Sequence, residues 1–255
     1  MSELVNSLGV KESFLASSLN SNFVLGLADG TLHSDQFNTW LYQDYIFVRL
    51  VFPFALATGE RIPDSETAYK PLKDAILGNF EVLKKELALF RQRAAANGVI
   101  LPVVPEVKDT VEEELNAYGG LKLLREIEQR YPQVYNEVSP FNISYVKFLV
   151  EVAADPRVSW KYLIALYWII EQCYRDSFAS VINSEKFNHA ADQGMKEFVS
   201  WWGKNPHFDE FVNILGKSTQ QLILDDETNR PLVLDAVRNV LKHEKNFFDG
   251  SFGLR

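Results

Sequence analysis

Almost every apolar run in this chain repeats at the period of an α-helix, and none alternates in the way a half-buried strand does. Behind Ser34, read as an N-cap, the stripe runs Phe37, Trp40, Leu41, Tyr45, Val48, Val51 and Phe52, with Pro53 expected to kink or end it. Pro71 opens a run over 72–96 with Ile76, Phe80, Leu83, Leu87 and Phe90 on one side, closed by Gly98. Residues 99–107 are apolar but hold Pro102 and Pro105, which predicts an extended connection. Helical patterns follow over 112–131 (interrupted by Gly119–Gly120), 142–154, 159–182, 189–202, 208–224 and 230–248. The expectation is all-α: eight or nine helices in a single-domain helical bundle over 1–255, with no Gly/Ser linker and no solenoid repeat.

Charge narrows the function classes. The chain carries a net charge of −8 and no basic face, so neither nucleic acid nor an anionic membrane surface is an expected partner. The longest apolar stretch, 162–170, falls short of the roughly 20 residues of a membrane span. No leader pattern opens the chain, and Cys173 has no second cysteine to pair with, so a cytoplasmic protein is expected. With four histidines, one cysteine and no Glu-x-x-His pair, no metal and no other cofactor is expected; Glu185 and His189 at i, i+4 read as chance. Phosphate-loop, dinucleotide, nucleophile-elbow and zinc-protease motifs are all missing from the sequence.

A helical bundle builds its site from inward-facing polar side chains, so the informative residues are acids on apolar faces. Asp44 takes a stripe position between Leu41 and Val48, beside Tyr45 and Phe47. Glu171 does so between Trp168 and Tyr174, and Glu244 between Leu241 and Phe247. A buried unpaired carboxylate costs several kcal/mol, so each is paired, protonated or functional. Any one alone reads as a paired buried acid or a misjudged face; three on three helices, if they converge, point to an acidic, aromatic-walled pocket suited to a small amine-rich ring. Tyr145 and Trp202 read first as core aromatics, and Glu86, beside its stripe, as a solvated or ion-paired residue. Cys173 lies about 200° round the helix from Glu171 and reads as an inert buried thiol.

These residues carry a resemblance. The run Phe23-Val-Leu-Gly-Leu-Ala-Asp-Gly-Thr-Leu32, then Phe37-Asn-Thr-Trp-Leu-Tyr-Gln-Asp-Tyr-Ile-Phe47, resembles the opening of the TenA family of thiamin-pyrimidine salvage enzymes. Leu241-Lys-His-Glu-Lys-Asn-Phe-Phe248 is similar to that family's last helix. Ala165 to Phe178 looks like the branch that lacks the catalytic cysteine and carries a nearby glutamate; Ile169 stands at the cysteine's place. The similarity leaves out roughly 94–137, an unusual insertion. The resemblance implies the haem-oxygenase-like all-α fold, a homodimer or homotetramer, and release of ammonia from 4-amino-5-aminomethyl-2-methylpyrimidine or hydrolysis of its N-formyl derivative. It also implies roles. Asp44 binds the aminopyrimidine, with Tyr45, Phe47, Tyr145, Trp202 and Glu86 as candidate substrate contacts. Phe47 replaces a tyrosine frequent in the cysteine branch. Glu171 and Glu244 share the acid–base chemistry. Two other readings stay open: a non-catalytic pyrimidine-binding protein, and another haem-oxygenase-like enzyme such as a di-iron oxygenase.

Overall fold

The computed structural model of the chain describes residues 2–250. In chain order its helices are α1 (Glu3–Ser7), α2 (Lys11–Ser17), α3 (Asn22–Asp29), α4 (Ser34–Glu60), α5 (Lys70–Gly78), α6 (Phe80–Ala96), α7 (Val111–Tyr118), α8 (Lys122–Arg130), α9 (Pro132–Glu137), α10 (Pro140–Ala154), α11 (Trp160–Ile182), α12 (Glu185–Ala190), α13 (Gln193–Gly203), α14 (Pro206–Asp225) and α15 (Asn229–Gly250), with a 3₁₀ turn at Thr67–Tyr69. The described residues contain no strand, and none of their helices is long and apolar enough to cross a membrane.

The all-α expectation holds, but the helices are shorter and more numerous than the eight or nine expected. Three runs are each two helices. Run 72–96 breaks at Asn79, whose N–H returns to the Ala75 carbonyl at 3.0 Å. Run 112–131 breaks at its glycine pair. Run 189–202 breaks because the Asp192 side chain caps α13, accepting the Met195 N–H at 2.7 Å. The first 33 residues, in which no helix is predicted, form α1 to α3, and α9 is a further short helix.

On α4 one expectation needs correction, and of the two outcomes expected at Pro53 one is removed. Its N-cap is His33, not Ser34: the His33 carbonyl accepts the Phe37 N–H at 3.1 Å, and Gln36 reaches back to accept the His33 N–H at 3.1 Å. Pro53 does not end the helix. A proline inside a helix costs about 3 kcal/mol or more. Here Phe52, Phe54, Ala55 and Leu56 are all buried around it, and their packing outweighs the lost hydrogen bond. The extended connection over 99–107 is observed as expected.

Contacts gather into two compact units, one of residues 2–37 and 164–250, the other of residues 38–163, so the divisions fall inside α4 and α11. In the first unit α15 packs on α2, α3 and α14, and α12 packs on α3. The buried Ser17 hydroxyl donates to the Leu241 carbonyl at 2.7 Å, fastening α2 to α15. Gly30 ends α3 in the left-handed region at φ 70°, and a Cβ there would also press within 2.9 Å of Ala190.

The second unit is organised by polar side chains on α4. Arg49 is 1% exposed and donates to Glu114 Oε1 at 2.8 Å and to the Pro105 carbonyl at 2.7 Å. Its guanidinium lies 4.9 Å from the Tyr118 ring centroid. The other Glu114 oxygen accepts the Lys108 N–H at 2.9 Å. The extended connection and α7 are therefore tied to α4 by one buried ion pair. Arg61, just past α4, donates to the carbonyls of Ala153 at 3.1 Å and Asp155 at 2.9 Å, closing the C-terminal end of α10. Removing one partner of a buried pair strands the other. Arg49→Met is expected to lower unfolding free energy by about 3–5 kcal/mol in urea titrations, and Arg49→Met/Glu114→Leu to recover much of that loss.

Candidate functional site

Asp44 is fully buried on α4, one turn after Trp40 and Leu41, which are buried as well. Its neighbours diverge. Residues three apart share a helix face, so Phe47 lies beside Asp44, whereas Tyr45 turns away. The Phe47 ring meets the Tyr145 ring of α10, centroids 5.0 Å apart and planes at 34°. The Tyr45 hydroxyl instead accepts from Arg91 Nε at 3.2 Å, and Arg91 also donates to both carboxylate oxygens of Glu106 at 3.2 Å. Tyr45 thus joins the polar chain that holds the 99–107 connection. Glu86 is half-buried on α6, four residues before Phe90, whose ring lies 6.4 Å from both Trp40 and Tyr45.

What holds Phe47 against Tyr145 is a buried amide clasp, which sequence reasoning missed. The Gln43 side chain accepts the Ser139 N–H at 2.9 Å and donates to the Glu137 carbonyl at 3.0 Å. Asn142 donates to the Gln43 carbonyl at 2.8 Å. The two clasp residues stand one turn before the two rings in contact. The legible signal was an amide, Asn142, on the same helix face as the apolar Val146 and Leu149. Tyr42 adds an outer bond, donating to Glu137 at 2.5 Å, and burial followed by that carboxylate pushes its phenol well above the usual value.

In the first unit Glu244 is fully buried on α15. Glu171 on α11 is not; it keeps partial solvent access, against the expectation of a core position, because it starts an edge of α11 that stays partly exposed at Arg175 and Ala179 as well. Ile169, at the place the resemblance gives to a nucleophile, is buried and apolar. Trp202 is buried on α13 in a line of rings: 5.0 Å from Phe198, 5.2 Å from Phe178, then Phe178 to Tyr174 at 6.0 Å and Tyr174 to Phe248 at 5.6 Å. The line runs from α13 across α11 to α15, ending one turn beyond Glu244. It depends on Gly203, where any Cβ would collide with the Phe178 carbonyl. Trp168 Nε1, Gln172 Nε2 and Ser177 Oγ, all on α11, are buried without a hydrogen-bond partner among the described residues.

Cys173 is fully buried near Glu244. Burial pushes its thiol well above the usual value, and the Glu244 and Asp176 carboxylates push it further. Such a thiol is a poor nucleophile. Among the described residues no group of three or more His, Cys, Asp or Glu side chains could hold a metal ion.

Residues 13–252 match the TENA/THI-4/PQQC family. An uncharacterized protein of Schizosaccharomyces pombe is 26% identical over 250 residues, 98% of this chain and 96% of its own. A Glycine max protein named "Probable bifunctional TENA-E protein" is 26% identical over 235 residues, 90% of this chain and 84% of its own. The structure of a TenA homologue from Pyrococcus furiosus superposes with a TM-score of 0.71 at 20% identity, covering 98% of each chain, and gives the haem-oxygenase-like all-α fold.

Two outcomes check this geometry. Gln43→Leu strands the buried Ser139 N–H and is expected to cost about 1–3 kcal/mol in urea unfolding, whereas Tyr42→Phe, facing an exposed partner, costs less than about 1 kcal/mol. Cys173 is expected to stay unmodified by an aromatic disulfide reagent at mildly alkaline pH until denaturant is added; rapid labelling of native protein would contradict its burial.

Proposed function

Because this chain belongs to the TENA/THI-4/PQQC family, we propose that it is a thiamin-salvage hydrolase. Its substrate is 4-amino-5-aminomethyl-2-methylpyrimidine, its N-formyl derivative, or both. With the amine, water replaces the amine nitrogen, giving the hydroxymethyl pyrimidine and ammonia; with the N-formyl derivative, water first cleaves the amide bond, giving formate and that amine. The observation that carries the reading is Asp44: a carboxylate 0% exposed, one turn from the Phe47–Tyr145 ring pair. A carboxylate so placed suits the amidine-like edge of a protonated 4-aminopyrimidine, which offers two parallel N–H donors, while rings hold its faces.

Glu171 is the general base in this account, and its partial access to solvent fits a group that must meet an incoming water. Glu244, fully buried among Phe247, Phe248 and Cys173, is the acid or ammonium holder. Their unequal environments favour unequal proton affinities, as an acid–base pair requires. The high thiol pKa of Cys173 supports carboxylate chemistry in place of a cysteine nucleophile. Phe47 and Tyr145 serve the ring as walls. The protein acts without a cofactor, in the cytoplasm, as a homodimer or homotetramer.

The test incubates purified protein with the amine and, separately, its N-formyl derivative, following products by mass spectrometry. Wild type is expected to release hydroxymethyl pyrimidine. Glu171→Gln is expected to lose about 10²–10⁴-fold in kcat while still binding the ring. Asp44→Asn is expected to raise KM as well as lower kcat. Near-normal turnover by Glu171→Gln would overturn its role, and binding without turnover by wild type would favour a sequestering protein.

A further inference from the structure

Along the seam of α2 and α15, inside the first unit, lies a groove of about 240 Å³. Its floor is Ala16, Leu241 and the Ser17 hydroxyl, whose one proton is shared between the Leu241 and Ser13 carbonyls, each 2.7 Å away. That shared bond ties the floor to both helices. Its wall is Arg238, Lys242 and Lys245, spaced i, i+4, i+7 and so aligned on one stripe of α15. No carboxylate lines it. Lys245 shares its charge with Asp249 at 2.9 Å, but Arg238 and Lys242 have no acidic partner among the described residues. The exposed Ser13 hydroxyl stands on the opposite lip with no hydrogen bond of its own among those residues. In a chain of net charge −8, this is a local reversal of sign.

We propose that this groove is a binding site for the phosphate or diphosphate group of a small phosphorylated molecule, held by Arg238 and Lys242 with Ser13 donating across the gap. A guanidinium offers a planar pair of donors to phosphate oxygens, and an ammonium adds a point charge. The apolar floor gives room for part of the attached body. The field of Lys242 is already felt inside the protein: after burial, its charge is the cause that lowers the pKa of neighbouring His243. The same positive wall repels a protonated amine, so the groove is not a second seat for the aminopyrimidine, and its occupancy does not rest on the proposed reaction.

The test titrates inorganic phosphate and pyrophosphate into the full chain by calorimetry, with sodium chloride holding ionic strength constant. Wild type is expected to bind one pyrophosphate per chain with a dissociation constant of about 1 mM or tighter. Arg238→Ala/Lys242→Ala changes only exposed side chains and should weaken binding at least about tenfold. Lys85→Ala, an exposed cation on α6, should leave it unchanged. Non-saturating heat in wild type, or equal affinity in the double variant, would mean general charge screening and overturn the site.

Discussion

A polar side chain withdrawn from water must find its partner inside the protein, and on α4 that obligation organises half the chain. Arg49 pairs with Glu114 and collects the 105–106 carbonyls. Gln43 collects the junction of α9 and α10, and Arg61 closes the far end of α10. Asp44 and Phe47 sit between the Gln43 and Arg49 anchors on the same helix. They inherit a backbone that cannot turn without breaking buried hydrogen bonds, each worth about 1 kcal/mol net and more when one partner is left stranded. The 99–107 connection is thereby a fastened strap, although two of its apolar residues, Ile100 and Val103, face solvent.

In the other unit the constraint is close approach. Gly203 lets the end of α13 lie on the α11 backbone at Phe178, which sets Trp202 in the ring line reaching Phe248. Glu244 is buried one turn from that line, in an environment that keeps the Cys173 thiol protonated. The two carboxylates of this unit differ in their surroundings: Glu244 is sealed and Glu171 is partly wet.

The helical class and most helix positions were legible in the sequence because burial imposes a period, and Asp44 and Glu244 stood out by breaking it. Helix ends were less legible. His33 caps α4 through its backbone and the Gln36 side chain, a pattern that composition hides behind the better capping residue Ser34. Pro53 does not end α4, because the packing of Phe52 and Phe54 outweighs its local cost. The short helices α1 to α3 carry too few turns to show a period. Gln43, Asn142, Arg49 and Glu114 were missed because polar residues look alike in sequence whether solvated or paired; only distance separates them. Glu171 was misjudged for burial because one face of α11 is less covered than its stripe implied.

The central claim is that Asp44 recognises an aminopyrimidine edge. A crystal structure of the protein soaked with the aminomethyl pyrimidine tests it most directly. The account predicts the ring nitrogen and exocyclic amino group within hydrogen-bond distance of the Asp44 carboxylate, with the ring face against Tyr145. A ring bound away from Asp44, with that carboxylate engaged only by protein groups, would contradict it.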